Sequence, residues 1–219
     1  MTEVENKISG DYMKVKTIPT GFLEENCYII DIGNGNAIAV DCGDDAEKIL
    51  DYLNSNSLAL KKILLTHGHF DHINAVEEVA KKTGAEVFIH KNDEPMLRSA
   101  RENLAYTIPG YTFISFSGQA KTIEDGEVIK QDNLEFKVMH TKGHTQGGVC
   151  YICGDKIFSG DTLFAGEVGR TDFPGGSYTD ILASVKKLAC LDGDYIVYPG
   201  HGPSSTLETE RKTNMYINE

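Results

Sequence analysis

Residues 66–72, with the sequence THGHFDH, constrain the fold of this chain more than any other segment, because they place four potential metal ligands within six residues. They follow the hydrophobic segment KKILL and precede a predicted helix. In an extended turn, His67 and His69 can reach one ion, while Asp71 and His72 at the helix start can turn toward another. These nitrogen and oxygen ligands suit zinc, manganese or iron and lack the thiolates of a closed structural zinc site.

Three further candidate ligands lie at the ends of predicted strands and stand beside glycine: His144 in TKGHTQGG, Asp161 in FSGDTLF and His201 in YPGHGP. Glycine lets the backbone and the ligand approach an ion closely. Any one of these histidines alone would be interpreted as a hydrogen-bonded core or turn residue. Several loops that each present His or Asp beside Gly instead predict a metal site. His90 and His140 lack such a setting, and we expect surface or packing roles for them.

The hydrophobic pattern predicts strands and helices in both halves of the chain. Strands are predicted over residues 13–18, 27–32, 36–42, 61–66, 85–90, 134–139, 149–153, 156–159 and 195–198, and helices over 44–55, 73–83, 92–103, 178–188 and 207–216. Residues 106–117 are expected to form a loop near the site. Two sheet-rich halves with helices outside predict an α/β fold of the four-layer αββα type, although periodicity alone indicates only α plus β.

Composition argues against several classes of function. The net charge of −12 works against broad binding to nucleic acid or to anionic membranes. No apolar run approaches the roughly 20 residues that span a bilayer, and residues 1–11 lack the apolar core of an export signal. We therefore expect a cytoplasmic protein with no membrane partner.

The five cysteines are expected to be mostly buried thiols rather than a disulfide framework, because their number is odd and they are scattered through apolar segments. Cys150 and Cys153 form a CxxC pair within a predicted strand. Residues three apart in a strand point to opposite faces, so a structural role is favoured over a redox or zinc role.

The segment THGHFDH matches the HxHxDH signature of the metallo-β-lactamase superfamily, and the three later ligands follow in the expected order and approximate spacing. The resemblance covers most of the chain and implies the metallo-β-lactamase fold in a single domain over residues 1–219, with residues 1–12 as a flexible leader. It also implies two divalent ions, zinc being expected and iron or manganese the alternatives. The implied ligands are His67, His69 and His144 for the first ion, Asp71, His72 and His201 for the second, and Asp161 as the bridge.

The segments FSGDTLFAGEVGRTDFPGGS and YPGHGPSSTLETERKTN resemble the short relatives of glyoxalase II, the hydroxyacylglutathione hydrolases. Longer glyoxalase II enzymes add a helical C-terminal domain that helps to bind glutathione. We expect none here, because the chain ends 18 residues after His201. The resemblance implies a metal-bound hydroxide that cleaves a small-molecule thioester, with Asp161 holding the ions together and Asp71 orienting the hydroxide. The thiol carrier, the acyl group and the oligomeric state stay open.

Arg170, in GRTDF, is the first candidate for binding an anionic substrate, because it follows Asp161 by nine residues, where the longer relatives place a glutathione-binding lysine. The alternative for Arg170 is a surface salt bridge. Lys142 is a weaker candidate for the same role.

A second enzyme class shares these motifs. Persulfide dioxygenases have the same fold, the HxHxDH string and GRTDF, but they use one iron held by two His and one Asp. The set of His67, His144 and Asp161 could hold such an iron. The hydrolase is favoured because GHGP around His201 supplies a ligand for a second metal.

Overall fold

Two six-stranded sheets form the centre of the computed structural model, which describes residues 13–219. In spatial order the first sheet contains β1 (Lys14–Thr20), β2 (Glu25–Gly33), β3 (Asn36–Val40), β4 (Ala59–Leu64), β5 (Glu86–His90) and β6 (Lys121–Ile123). The second contains β7 (Val128–Gln131), β8 (Leu134–His140), β9 (Val149–Cys153), β10 (Lys156–Gly160), β11 (Ile196–Pro199) and β12 (Ser205–Thr206). The predicted leader lies outside the described residues, and the extent of the single domain stays a prediction.

Helices cover the outer face of each sheet. They are α1 (Ala46–Ser55), α2 (Phe70–Ile73), α3 (Val76–Thr83), α4 (Tyr178–Ala189), α5 (Leu207–Thr213) and α6 (Met215–Asn218). Alternation along β2 explains the layering, since Ile29 packs with the buried residues of α1 and α3, whereas Tyr28 and Ile30 pack against the second sheet. On the other side, Cys150 of β9 packs with buried residues of α4 and α5. The layers are therefore helix, sheet, sheet and helix, and the predicted αββα sandwich is confirmed.

The core between the sheets contains polar bonds as well as aromatic packing. Phe136, Tyr151 and Phe158 are fully buried there. The hydroxyl of Tyr151 donates to the carbonyl oxygen of Leu65 in the first sheet at 2.8 Å. The hydroxyl of Tyr28 donates in the opposite direction, to the carbonyl oxygen of Pro199 at 2.6 Å. Leaving such a buried group unpaired costs about 1–3 kcal/mol, so these bonds hold the sheets together at the points where two ligand loops begin.

One predicted helix is wrong. Residues 92–103 form a short 3-10 helix over Glu94–Arg98 followed by turns, not a regular α-helix. Pro95 has no backbone N–H to continue a helical ladder. The side chain of Asn103 donates to the carbonyl oxygen of Met96 at 2.9 Å, which satisfies that oxygen outside a helix.

Other element boundaries also differ from the prediction. The helix predicted over 73–83 begins only at Val76, as α3, and a separate short helix, α2, ends at Ile73. The terminal helix predicted over 207–216 is broken at Asn214. The side-chain oxygen of Asn214 accepts from the backbone N–H of Tyr216 at 3.0 Å and so begins a new helix. The strands β6, β7 and β12 were not predicted, since two to four residues carry too little alternation to be recognised.

The cysteine and remaining histidine predictions are confirmed. Cys150 and Cys153 are buried on opposite faces of β9, in the outer and the inter-sheet clusters respectively. His90 is buried and its ring stacks on that of His140, with centroids 4.2 Å apart. Within residues 13–219, no helix is both long and apolar enough to cross a membrane.

Phe136→Ala tests the importance of the inter-sheet core. The change should lower the free energy of unfolding by about 3–5 kcal/mol, because it leaves a cavity at a fully buried ring. Val128→Ala on the neighbouring strand is the control, since Val128 is 43% exposed and should cost less than about 0.5 kcal/mol. Urea unfolding measures both, and equal midpoints for the two variants would contradict the assignment of Phe136 to the core.

Candidate metal centre

All seven predicted metal ligands converge at one end of the sandwich. His67 and His69 follow β4, and Asp71 and His72 lie in α2, so the first sheet contributes four of them. The second sheet contributes the other three: His144 follows β8, Asp161 follows β10 and His201 follows β11. The site therefore exists only when both sheets are packed together.

The first group of ligands consists of His67, His69 and His144, whose candidate ligand atoms lie within 4.8 Å of one another. Nδ1 of His69 is 2.8 Å from Nε2 of His144. The same Nε2 atom lies 3.5 Å from Oδ2 of Asp161. Three imidazoles with a carboxylate at this spacing form a ligand set that zinc commonly uses.

The second group consists of Asp71, His72 and His201, again with candidate ligand atoms within 4.8 Å of one another. Nε2 of His201 is 3.3 Å from Oδ2 of Asp71. Asp161 lies between the two groups, with Oδ1 3.4 Å from Nε2 of His72 and Oδ2 3.8 Å from Nε2 of His201. Asp161 therefore lies where one carboxylate could contact an ion in each group, which is the role that the resemblance implies for it.

Several buried polar atoms of this cluster have no hydrogen-bond partner among residues 13–219. They are Nε2 of His67, His69 and His72, and Oδ1 of Asp161. A buried polar atom without a partner costs about 1–3 kcal/mol, so native proteins contain few of them. Four within one cluster, all of ligand type, fit a centre built for cations.

Electrostatics favours the metal-binding form of the first group. Burial, followed by the neighbouring imidazoles, lowers the pKa of His67 well below its ordinary value. Burial, and next the neighbouring His144, lowers the pKa of His69 to about 3. Both rings are therefore neutral at cellular pH, and neutral imidazole is the form that binds a metal.

The second group is an ionic cluster. Burial alone would lower the pKa of His72, but the carboxylates of Asp161 and Asp71 raise it well above its ordinary value. Burial alone would raise the pKa of Asp161, but its imidazole neighbours, His72 first, hold it well below its ordinary range. Asp161 is thus ionised, and a cation bound here would take the place of the positive charge that His72 otherwise carries.

Asp41 supports this group, although the sequence analysis did not predict a role for it. It is buried directly after β3 and accepts from the backbone N–H and the hydroxyl of Thr66 at 2.8 and 2.7 Å. Its Oδ2 lies 2.9 Å from Nδ1 of His72. A carboxylate on the outer nitrogen fixes the tautomer and the ring orientation of a ligating histidine, so Nε2 faces the centre. The available signal was a lone acidic residue at the end of a buried strand.

Asp93 is a second supporting residue that the sequence prediction missed. Its buried carboxylate accepts from the backbone N–H of Gly68 at 3.1 Å, the hydroxyl of Thr145 at 2.7 Å and the backbone N–H of Gly147 at 2.7 Å. It thereby joins the loop of His67 and His69 to the loop that carries His144. Asp93 lay in the segment wrongly predicted as a helix.

A pocket of about 530 Å³ opens onto the ligands. Besides ligands from both groups, its lining consists of Leu23, Phe70, Leu104, Thr107, Ile108, Phe164, Val168, Arg170 and Phe173. Thr107 and Ile108 belong to the predicted loop at 106–117, and four others lie in the segment after β10. The predicted loop therefore does lie near the site.

The two candidate substrate-binding residues have different positions. Arg170 lines the pocket. Its guanidinium also forms a bidentate salt bridge with Asp172 at 2.7 and 2.6 Å and lies over the ring of Phe173. Lys142 is not among the lining residues, and its ammonium lies 3.1 Å from Asp180. The role of each in substrate binding stays a prediction.

Known proteins are similar to this chain in both sequence and fold. Residues 20–201 match the family model described as the metallo-beta-lactamase superfamily. Hydroxyacylglutathione hydrolase GloC of Haemophilus influenzae is 32% identical over 209 residues, covering 94% of this chain and 99% of that protein. The crystal structure of the BLEG-1 B3 metallo-beta-lactamase is 34% identical, with a TM-score of 0.89 over 94% of this chain and 100% of that one. TTHA1623 in a di-iron-bound form is 36% identical, with a TM-score of 0.83 over 91% of this chain and 98% of that one.

Asp41→Asn should weaken metal binding by the second group about 10- to 100-fold, because the orientation of His72 is lost. The backbone of Asp41 has a φ of 56°, which asparagine tolerates, so the change removes the charge without adding backbone strain. Asp132→Asn is the matched control, since Asp132 has a φ of 50° and is exposed, away from the centre. Metal retained after dialysis against a chelator measures the effect, and equal retention in both variants would contradict it.

Proposed function

The chain belongs to the metallo-β-lactamase superfamily, and on that basis we propose that it is a metal-dependent hydrolase that cleaves a thioester at a centre of two divalent ions. The observation that carries the proposal is the complete set of seven ligands in two groups, with Asp161 between them. A hydrolase that activates water between two ions needs both groups, whereas a one-metal enzyme needs only the first.

The ligand roles follow from the two groups. His67, His69 and His144 would hold the first ion, Asp71, His72 and His201 the second, and Asp161 would contact both. Zinc is the expected metal, and the di-iron form of a relative keeps iron as an alternative. When bound, the ions would polarise the substrate carbonyl and lower the pKa of water toward neutrality.

Asp71 is placed to orient the attacking water. Burial alone would raise its pKa, but His72 and a hydrogen bond with His201 lower it, so the carboxylate is ionised and can accept a hydrogen bond. It also lines the pocket, where the substrate would lie. Asp71 would therefore hold the water toward the carbonyl while it ligates the second ion.

The pocket lining favours a thioester over other acyl compounds. Outside the ligand set, Thr107 and Arg170 are the only polar side chains that residues 13–219 contribute to the lining, and neither is an acid that gives up a proton readily at neutral pH. A leaving thiolate needs no such donor, since free thiols have a pKa of about 8.5. A leaving alkoxide, whose conjugate acid resembles water with a pKa of about 15.7, would need one. The similarity to hydroxyacylglutathione hydrolase GloC supports the same choice.

Two other activities compete with this proposal. Persulfide dioxygenation by a single iron would use His67, His144 and Asp161 and would leave the second group without a purpose. β-Lactam hydrolysis is the second candidate, because the BLEG-1 B3 metallo-beta-lactamase is 34% identical. Both can be assayed with the same protein preparation.

Elemental analysis of untagged protein, paired with hydrolysis of S-lactoylglutathione, tests the proposal. We expect about two metal ions per chain and thioester turnover. His201→Asn should lose the second ion and reduce kcat on the order of a hundredfold or more, because a direct ligand is removed. His140→Asn, a histidine outside the centre, should keep both properties.

Three results would contradict the proposal. The first is a single iron per chain with oxygen consumption on glutathione persulfide, and the second is turnover of a β-lactam without turnover of thioesters. The third is a His201→Asn variant as active as His140→Asn, since the second group would then be dispensable.

Arg170→Ala should raise KM for an anionic thioester about tenfold while kcat changes little, because a charge at the pocket rim binds substrate and transition state alike. Asp172→Asn should have the opposite effect, since it releases Arg170 from its salt bridge. A neutral thioester is the internal control, and its KM should not change in either variant. An unchanged KM for Arg170→Ala would remove Arg170 from substrate binding. The same measurement on Lys142→Ala tests the prediction for Lys142.

A further inference from the structure

Outside the ligand set, the pocket lining is mostly apolar. Besides Val168, which also packs against the cluster between the second sheet and its helices, it contains six apolar side chains that we call the apolar wall: Leu23, Phe70, Leu104, Ile108, Phe164 and Phe173. They come from the β1–β2 loop, α2, the segment after the 3-10 helix and the segment after β10. Side chains from four separate parts of the chain thus meet beside the metal ligands. Ligand pockets are mostly apolar, with a few polar groups that fix orientation, and this pocket has that composition.

The apolar wall is in direct contact with both ligand groups. The ring of Phe173 lies 5.9 Å from that of His69, and the ring of Phe164 lies 6.4 Å from that of His201. The carbonyl oxygen of Leu23 lies 3.2 Å from Nδ1 of His201. Apolar surface is therefore available to a substrate directly beside the ligands that its carbonyl would reach.

The wall is preformed at its base. Phe70 and Leu104 are 6% and 4% exposed and belong to one buried cluster. Phe70 also packs edge-to-face on Tyr111, whose hydroxyl donates to Asp44 at 3.1 Å. The remaining wall residues are partly exposed, so a ligand would cover apolar surface without displacing packed side chains.

The charge of the pocket does not match a glutathione conjugate. Glutathione carries two carboxylates, but within the described part of the chain Arg170 is the only cationic lining side chain outside the ligand set. Its charge is already balanced by Asp172, whose pKa the guanidinium lowers to about 2. The two carboxylates of a glutathione thioester would thus have one cation to bind, which is already paired with Asp172. The charged groups of glutathione could not cover the apolar surface beside it.

From these contacts we infer that the substrate of this centre is a thioester bearing an apolar group of several carbons, which lies against the apolar wall. The inference rests on the proposed thioesterase function and deepens it, because it names the substrate class. The apolar group belongs either to the acyl part or to the thiol part of the thioester. The two sources share one chemistry, and separate substrate series distinguish them.

Two series of thioesters test the inference on the metal-loaded full chain. The first varies the acyl group from acetyl through butanoyl to hexanoyl on the small neutral thiol N-acetylcysteamine. The second keeps the acetyl group and varies the thiol from ethanethiol to hexanethiol. Burying one methylene improves binding by about three- to fourfold, so kcat/KM should rise at least about tenfold along one series and should exceed that of S-lactoylglutathione.

Variants of the wall connect this preference to the structure. Ile108→Ser and Leu23→Ser should each reduce the ratio of kcat/KM between the longest and the shortest substrate by about fivefold or more, since a polar side chain replaces apolar contact surface. Val128→Ser is the matched control, because Val128 is equally apolar and exposed but lies on β7 outside the pocket lining. Its ratio should equal that of the wild type.

The outcomes separate this inference from the function on which it rests. A rise in the first series assigns the apolar group to the acyl part, and a rise in the second assigns it to the thiol part. If S-lactoylglutathione is hydrolysed while both series are flat, the inference is overturned and the thioesterase function stands. Absence of turnover with every thioester overturns both. A rise that the wall variants leave unchanged also overturns the inference.

Discussion

The burial of imidazoles and carboxylates in one cluster is the constraint on which the rest of this structure depends. Nitrogen and oxygen atoms that face one another without hydrogen-bond partners are costly, and they persist only where the surrounding fold holds them firmly. Both sheets supply ligands, so a small shift of one sheet against the other would separate the two groups. The cross-sheet bonds of Tyr28 and Tyr151 lie beside the ligand loops and oppose such a shift. The same requirement explains two buried carboxylates. Asp41 contacts the ligand His72, and Asp93 joins the loop of His67 and His69 to the loop that carries His144.

Much of this arrangement could be predicted from the sequence, because it follows local rules. Five of the seven metal ligands stand in glycine-containing loops that follow hydrophobic strands, and Asp71 and His72 lie in the short helix that begins directly after the first of these loops. The three-residue spacing of Cys150 and Cys153 likewise predicted that they lie on opposite faces of their strand. The seven ligands could therefore be predicted from their motifs, whereas the layered sandwich also depended on the resemblance to the family, because periodicity alone indicates only α plus β.

The remaining features depend on contacts between distant parts of the chain. Asp41 and Asp93 acquire their roles from partners 25 to 54 residues away, which no local pattern records. The segment around Asp93 has helical periodicity, but it does not form an α-helix. The carboxylate of Asp93 instead bonds to the loops that carry metal ligands. Arg170 was predicted either to bind substrate or to form a surface salt bridge. The structure contains a salt bridge with Asp172 and also places Arg170 in the pocket lining. The apolar wall was not predicted at all, because its members come from four separate segments.

Chemistry and substrate choice are separated within the pocket. One side carries the imidazole and carboxylate ligands, which would hold the ions that perform the proposed reaction. The other side is apolar and belongs to the loops, which determine what is brought to that centre. Similar proteins that carry different names, a hydroxyacylglutathione hydrolase and a B3 metallo-beta-lactamase among them, fit this division of roles. The substrate of the present chain is therefore to be sought from its loops rather than from its metal ligands.

Anomalous diffraction from crystals of the zinc-loaded protein, recorded at the zinc absorption edge, tests the central claim most directly. We predict two peaks about 3.5–4 Å apart, with Asp161 between them and one group of ligands around each. A single peak among His67, His69 and His144, at saturating zinc and with the second group turned away from it, would contradict the account.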